Sequence, residues 1–134
     1  MSHLIDTDVI IDNLRGDTAA TEWLHRHRGN QLAVSILTVG ELYKGAYRHP
    51  DRDAQLGALA SYLGRFAILG LTDAIMHRYG LEYAALRARG QLIDDIDLPI
   101  AASALTHDLR LVTRNLRHFD RVPRLVIDDL NPTR

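Results

Sequence analysis

Cysteine is absent, lysine occurs once, and no apolar run approaches the ~20 residues that a membrane-spanning helix requires. Without cysteine there are no disulfides and no thiolate metal sites, and a cytoplasmic home is compatible with that. The opening Met1-Ser2-His3-Leu4-Ile5-Asp6 has neither a basic start nor a long apolar stretch, so it does not read as a signal peptide. There is no glycine-rich phosphate loop and no serine elbow of the GxSxG type. The histidines are scattered, and the nearest pair, His25 and His27, would face apart on a helix. Nor is there an excess of positive charge. The formal net charge is −1, so a nucleic-acid partner would need a local basic surface. Every basic residue except Lys44 is Arg. Arg suits bidentate phosphate contact, and genome base composition produces the same bias.

What is present is one domain's worth of chain, residues 1–134, 46% apolar and 25% charged. Its most informative run is Ile93-Asp94-Asp95-Ile96-Asp97-Leu98-Pro99-Ile100-Ala101-Ala102-Ser103-Ala104-Leu105. Pro99 is tolerated in a first helical turn, and Ala101, Ala102 and Ala104 are strong helix formers, so a helix starts just after Asp97. One aspartate can cap it. Asp94, Asp95 and Asp97 together exceed that need. Two like charges about 4 Å apart cost roughly 4 kcal/mol at an effective dielectric near 20. A chain that gathers carboxylates solvates them, protonates one, or binds a cation with them.

Leu4-Ile5 reads as a short buried strand with Asp6 at its C-terminal end. A helix follows through Val9-Ile10-Ile11 to Leu14 and stops at Arg15-Gly16. Capping accounts for one of Asp6 and Asp8. Asp6 is the better functional candidate, because α/β sheets place ligands at the carboxyl ends of their strands. A second helix spans 17–28, and its basic group His25-Arg26-His27-Arg28 reads as a solvated end. Leu32-Ala33-Val34 is a strand, and Ser35 caps a helix over 36–47 that carries Glu41, with Lys44 three residues on as a ready partner. Helices over 51–65 and 73–89 flank a third strand at 67–71. The acidic run and its helix reach about His107. A fourth strand at 109–113, a loop over 114–120 and a fifth strand at 125–127 follow, and Asn131-Pro132 closes the chain. This alternation predicts an α/β fold with three layers, α/β/α, and a mostly parallel central sheet of about five strands. Such a sheet brings Asp6, the 113–120 segment and the starts of the Ser35 and Asp97 helices to one edge.

Oxygen ligands from Asp and Glu without a His or Cys pattern favour Mg²⁺ or Mn²⁺. A site of that kind suits phosphodiester hydrolysis, since the ion activates water and offsets charge on the leaving oxygen.

The pieces Leu4-Ile5-Asp6-Thr7-Asp8-Val9-Ile10-Ile11-Asp12, Ser35-x-x-Thr38-x-x-Glu41-Leu42-x-x-Gly45, Gly90-x-x-Ile93-x-x-x-Asp97-x-x-Ile100-Ala101-Ala102 and Leu111-Val112-Thr113-Arg114-Asn115-x-x-x-Phe119 follow one another in this order. In that order and spacing the chain resembles the PIN-domain ribonucleases, and within them the VapC toxins of toxin–antitoxin pairs. The resemblance covers nearly the whole chain. It implies a PIN-like fold and a Mg²⁺- or Mn²⁺-dependent endoribonuclease with Asp6, Glu41 and Asp97 as its metal-binding acids. A fourth acid usually lies in the final loop. Here Asn115 stands where many relatives carry Asp, and His118 where others carry Asp or Glu. Asp120 is then one candidate for the acid, Asn115 a candidate for orienting a water, and Thr113 a hydrogen-bond partner for a carboxylate or water. Asp94 and Asp95 read as solvated loop acids. The ending Asn115-x-x-x-Phe119-x-Arg121-Val122-Pro123-x-Leu125-x-Ile127-x-Asp129 resembles the branch that cuts initiator tRNA in the anticodon loop. Family precedent further implies homodimers, and a VapB antitoxin whose tail lies in an apolar groove. DNA would be met only through that antitoxin.

Two other readings compete. Asp6-Thr7-Asp8 after a strand also resembles the opening of haloacid-dehalogenase-type phosphatases, with Asp6 as nucleophile and Asp8 as general acid. That chemistry needs a downstream lysine on the phosphate, and Lys44 lies on the wrong segment. A PIN-like binding module without catalysis is the third reading, and the intact acids argue against it.

Overall fold

Two of the strands are short apolar runs closed by a residue that caps the next helix. The computed structural model describes residues 1–130. The elements are β1 (His3–Ile5), α1 (Thr7–Leu14), α2 (Thr18–Arg26), β2 (Leu32–Ser35), α3 (Ile36–Arg48), α4 (Arg52–Leu63), β3 (Ala67–Leu69), α5 (Asp73–Ala88), α6 (Asp97–Thr106), β4 (Arg110–Thr113), α7 (Leu116–Phe119) and β5 (Ile127–Asp129). The caps are local chemistry. Asp6 accepts from the Thr7 N–H, Asp17 from Ala20, Ser35 from Leu37 and Thr72 from Ile75, each satisfying a donor that the helix leaves open.

The sheet order is β3-β2-β1-β4-β5, and all four pairings are parallel. Adjacent strand residues point to opposite faces, so each strand feeds two cores. Ile5, Leu32, Val34 and Val112 pack with α1 to α4 on one side. Leu4, Ala33 and Leu111 pack with α5, α6 and α7 on the other. The expected three-layer α/β/α arrangement is therefore present. α6 is buried all round, from Leu98 through Ala104, as an apolar helix beneath a sheet should be. Its one hydroxyl in that stretch, on Ser103, donates to the Pro99 carbonyl at 2.9 Å.

β5 and the preceding segment differ from the sequence expectation. The fifth strand lies at 127–129, not 125–127. Pro123 and a left-handed Arg124 (φ 66°) occupy the approach, so ladder pairing begins later and joins Leu111, Val112 and Thr113 to Ile127, Asp128 and Asp129. Leu125 and Ile127 still pack against the α5–α7 core, and that apolar pattern is what suggested the earlier strand. The expected loop over 114–120 contains one helical turn, α7, which buries Phe119 completely. Asn131-Pro132 lies outside the described residues.

β1 is central, with β2 and β3 on one side and β4 and β5 on the other. The order in which strands are added to the sheet reverses between β1 and β4. In open α/β sheets that crevice, at the carboxyl ends of the strands, is where ligands bind.

Candidate active site

Asp6 follows β1 and Thr113 ends β4, one on each side of the crevice. The Thr113 hydroxyl donates to Asp6 Oδ2 at 2.8 Å, and the other carboxylate oxygen accepts from Thr7 N–H at 2.8 Å. Thr113 Oγ1 also accepts from the Asn115 N–H at 2.9 Å. Asn115 in turn reaches Asp97 Oδ2 with its side-chain nitrogen at 3.2 Å, and His118 Nδ1 lies 2.9 Å from the same oxygen. A continuous polar chain thus runs Asp6–Thr113–Asn115–Asp97–His118. Thr38, in the first turns of α3, meets Thr7 hydroxyl to hydroxyl at 2.8 Å and ties that helix to the same corner.

The electrostatics of this corner are those of crowded acids. Asp6 is only 4% exposed. Burial first, and then the neighbouring Asp8, push its pKa up to about 8, with Asp97 adding to the rise. Burial likewise raises Asp8, whose Oδ2 accepts from the Arg114 N–H at 3.2 Å while its Oδ1 is shut from solvent without a hydrogen-bond partner. Asp97 is raised by burial too, against the lowering effect of its His118 and Asn115 bonds. Carboxylates held together at this cost suit a cation that would let all of them ionise.

The sequence candidates are distributed as follows. Asp6, Thr113, Asn115 and Asp97 come together. Glu41 lies further along α3, one turn beyond Thr38, half-buried, with Lys44 Nζ 3.4 Å from its carboxylate. It borders a groove of about 580 Å³ lined by Ile11, Leu14, Leu42, Ala46 and Leu59. Asp120 is the exposed C-terminal cap of α7, whereas His118 two residues earlier reaches Asp97. Asp94 caps the Ile96 N–H, and both Asp94 and Asp95 are exposed, as solvated loop acids should be. Asp97 is the first residue of α6 rather than its cap. Sequence reasoning undervalued Asp8, which reads as a spare cap until the Arg114 backbone is placed against it. It also gave no role to Arg114, whose guanidinium reaches Asp12 at 3.4 Å and Asp17 more closely, fastening β4's exit to α1 and α2.

Among the described residues no three His, Cys, Asp or Glu side chains stand together as a ready-made metal cage. Mg²⁺ needs no such cage, since it takes one or two carboxylates and keeps several waters. The raised carboxyls of buried Asp6 and half-buried Asp97, with Asp8 beside them, therefore fit a hydrated divalent ion.

The model of the PIN domain matches residues 3–125. The chain belongs to the PIN-domain family. This PIN domain is 35% identical over 124 residues to Ribonuclease VapC19 of Mycobacterium tuberculosis, covering 91% of this chain and 95% of that one. It is 32% identical to Ribonuclease VapC2 of Haemophilus influenzae, covering 91% and 92%. Among solved structures, VapBC-1 from nontypeable Haemophilus influenzae superposes with a TM-score of 0.88 at 26% identity, covering 98% and 99%. FitAcB from Neisseria gonorrhoeae gives 0.87 at 26%, covering 96% and 97%. VapBC2 from Rickettsia felis, bound to a promoter DNA fragment, shares the fold of this PIN domain at 24% identity and a TM-score of 0.88, covering 96% and 98%.

Proposed function

We propose that the chain is a divalent-metal-dependent endoribonuclease and the toxin of a VapBC-type toxin–antitoxin pair. In this reading it hydrolyses RNA phosphodiesters in the cytoplasm and so inhibits translation. The observation that carries the reading is the set of carboxylates with raised pKa values, buried Asp6 and half-buried Asp8 and Asp97, at the crevice where the strand order reverses. The VapC ribonucleases among its relatives support it.

Asp6 and Asp97 are the residues that would hold Mg²⁺ or Mn²⁺, with Glu41 completing the set from α3. Bound there, the ion would supply an activated water and offset charge on the phosphorane and leaving oxygen. The chain's own residues do the positioning. Thr7 N–H and Thr113 fix both oxygens of Asp6, and Asn115 with His118 fixes Asp97. Asp8 and the Arg114 backbone hold the end of β4 against α1, so the two halves of the crevice stay in register.

The groove beside Glu41 is mostly apolar and carries Arg15 and His49 at its margin. It suits an apolar antitoxin segment, and the VapBC complexes among the similar structures support such a partner. Exposed Ile36, Tyr43 and Tyr47 on α3 supply apolar surface for a homodimer. DNA contact would come through the antitoxin alone. The ending that resembles the initiator-tRNA branch makes the tRNA anticodon loop the substrate to try first. The phosphatase alternative needs a lysine beside Asp6 and Asp8, and Lys44 instead bonds Glu41.

The deciding assay incubates RNA with the purified protein and Mg²⁺ or Mn²⁺, with EDTA as control, and repeats it with Asp6→Asn and Asp97→Asn. Metal-dependent cleavage lost in both variants is expected. Turnover of a small phosphoester with RNA left whole would establish the phosphatase instead, and binding without either reaction the non-catalytic module.

A further inference from the structure

The basic run His25-Arg26-His27-Arg28 is not one solvated end, because its side chains divide. His27 stacks on Trp23 with ring centres 3.8 Å apart, and its Nδ1 meets the Trp23 carbonyl at 2.8 Å. His25 and Arg28 instead line a pocket of about 440 Å³. Leu32 opens β2 and Phe66 immediately precedes β3, and both line it too, so it lies at the amino ends of these strands. The Asp6 corner lies at the carboxyl ends, a strand's length of ~10 Å or more away.

Three features give this pocket its chemistry. Its floor is apolar, from Leu24, Leu32 and Phe66. One wall is tied in place: Asn13 Oδ1 accepts from the Tyr62 hydroxyl at 2.7 Å, and Asn13 Nδ2 donates to Thr21 Oγ1 at 3.1 Å. Thr21 keeps its own hydrogen for a ligand. Its mouth is cationic. Arg28 Nη1 lies 2.9 Å from a ring nitrogen of His25, and the Arg65 guanidinium lies 5.1 Å from the centre of the Tyr62 ring. Among the described residues no Asp or Glu lines the pocket, and neither arginine makes an ion pair.

Two guanidiniums without acids favour an anion, and their planar fork matches phosphate. A carboxylate side chain would occupy the mouth and leave the apolar floor bare. The volume falls within the range of small-molecule sites, roughly 300–1,000 Å³. An aromatic surface beside cations is the combination that holds a single nucleotide, base on the ring and phosphate on the charge.

We propose that this pocket binds a phosphorylated nucleoside, its phosphate on Arg28 and Arg65 and its base against Phe66. An unpaired nucleotide of an RNA chain and a free mononucleotide share this chemistry. The site is separate from the acids and does not rest on the nuclease reading.

The test uses the full-length protein in EDTA, so that no ion at the acids takes up phosphate. Each common ribonucleoside monophosphate is titrated while the side-chain amide signals of Asn13 and Asn30, which line the pocket, are followed by NMR. At least one should give saturable shifts, and the same nucleoside without phosphate should bind about tenfold or more weakly. Arg28→Glu combined with Arg65→Glu, both exposed positions, should weaken binding by about tenfold or more with the circular dichroism spectrum unchanged. No saturable binding by the wild type overturns the proposal, and that arm needs no variant to fold. So does a nucleoside that binds equally well without phosphate, or binding that the folded double variant retains. A short single-stranded RNA added to the bound mononucleotide names the source. Displacement assigns the pocket to an RNA nucleotide, and undisturbed amide shifts assign it to a free one. RNA cleavage with Mn²⁺ keeps the two readings apart. Mononucleotide binding without cleavage removes the nuclease and leaves this site, and cleavage without mononucleotide binding does the reverse.

Discussion

Asp6 caps α1 and is also a buried acid whose charged form the fold disfavours. Its pKa lies at about 8 when folded, raised by burial and then by Asp8, against an ordinary value of 3.8. Between those values the folded state binds more protons than the unfolded one, so stability falls as pH rises through that window. Asparagine at this position keeps an oxygen for the Thr7 N–H and offers a donor to Thr113. Asp6→Asn should therefore melt a few degrees above the wild type at pH near 8 without metal, and the gap should close towards pH 4. On the proposed reading its RNA cleavage should fall by at least about 100-fold, because the carboxylate would hold the metal. Thermal melts across pH check the first statement and a cleavage assay the second. Thr113→Val is a different loss. It strands a buried Asp6 oxygen and the Asn115 N–H together, which should cost about 2 to 4 kcal/mol in a denaturant titration.

Among the elements, α3 offers the cleanest trial of the groove proposed to take an antitoxin. Gly45 lines that groove, and a Cβ built there meets nothing within 4 Å. Gly45→Trp should fill the groove without disturbing the helix and, on the proposed reading, should weaken binding of a VapB-type antitoxin by about tenfold or more, read by calorimetry. Ser35→Ala removes the cap of the same helix and should cost about 1 kcal/mol. Most elements were legible because their signals are local. The cap at Ser35 and the short contiguous apolar runs of β1 and β2 are written in adjacent positions. β5 was misplaced because its apolar residues face the core two positions before its backbone joins the ladder. α7 was missed because a single turn around Phe119 has too little length for periodicity to show. At the site, Asp6 and Asp97 stood out by position. The links through Thr113 and Asn115, and the choice of His118 over Asp120, depend on a pairing between β1 and β4 that spans more than a hundred residues.

For the molecule as a whole, the sheet order sets where chemistry can occur. β1 and β4 are neighbours although the chain between them contains most of the helices, and their ends bring Asp6 and Thr113 into contact across the reversal. A net charge of −1 gives no field that would concentrate RNA from afar, so affinity must come from local contact and from the cation itself. One coupling is central to the proposed reading: a divalent ion held at this corner would meet an Asp6 carboxyl whose pKa is pushed up to about 8, and binding would expel its proton. Calorimetric titration of Mn²⁺ at pH near 7, repeated in buffers of different ionisation enthalpy, counts the protons released. The wild type should release most of one proton per ion bound, and Asp6→Asn close to none. Absence of binding, or a heat that does not change with buffer, would contradict it.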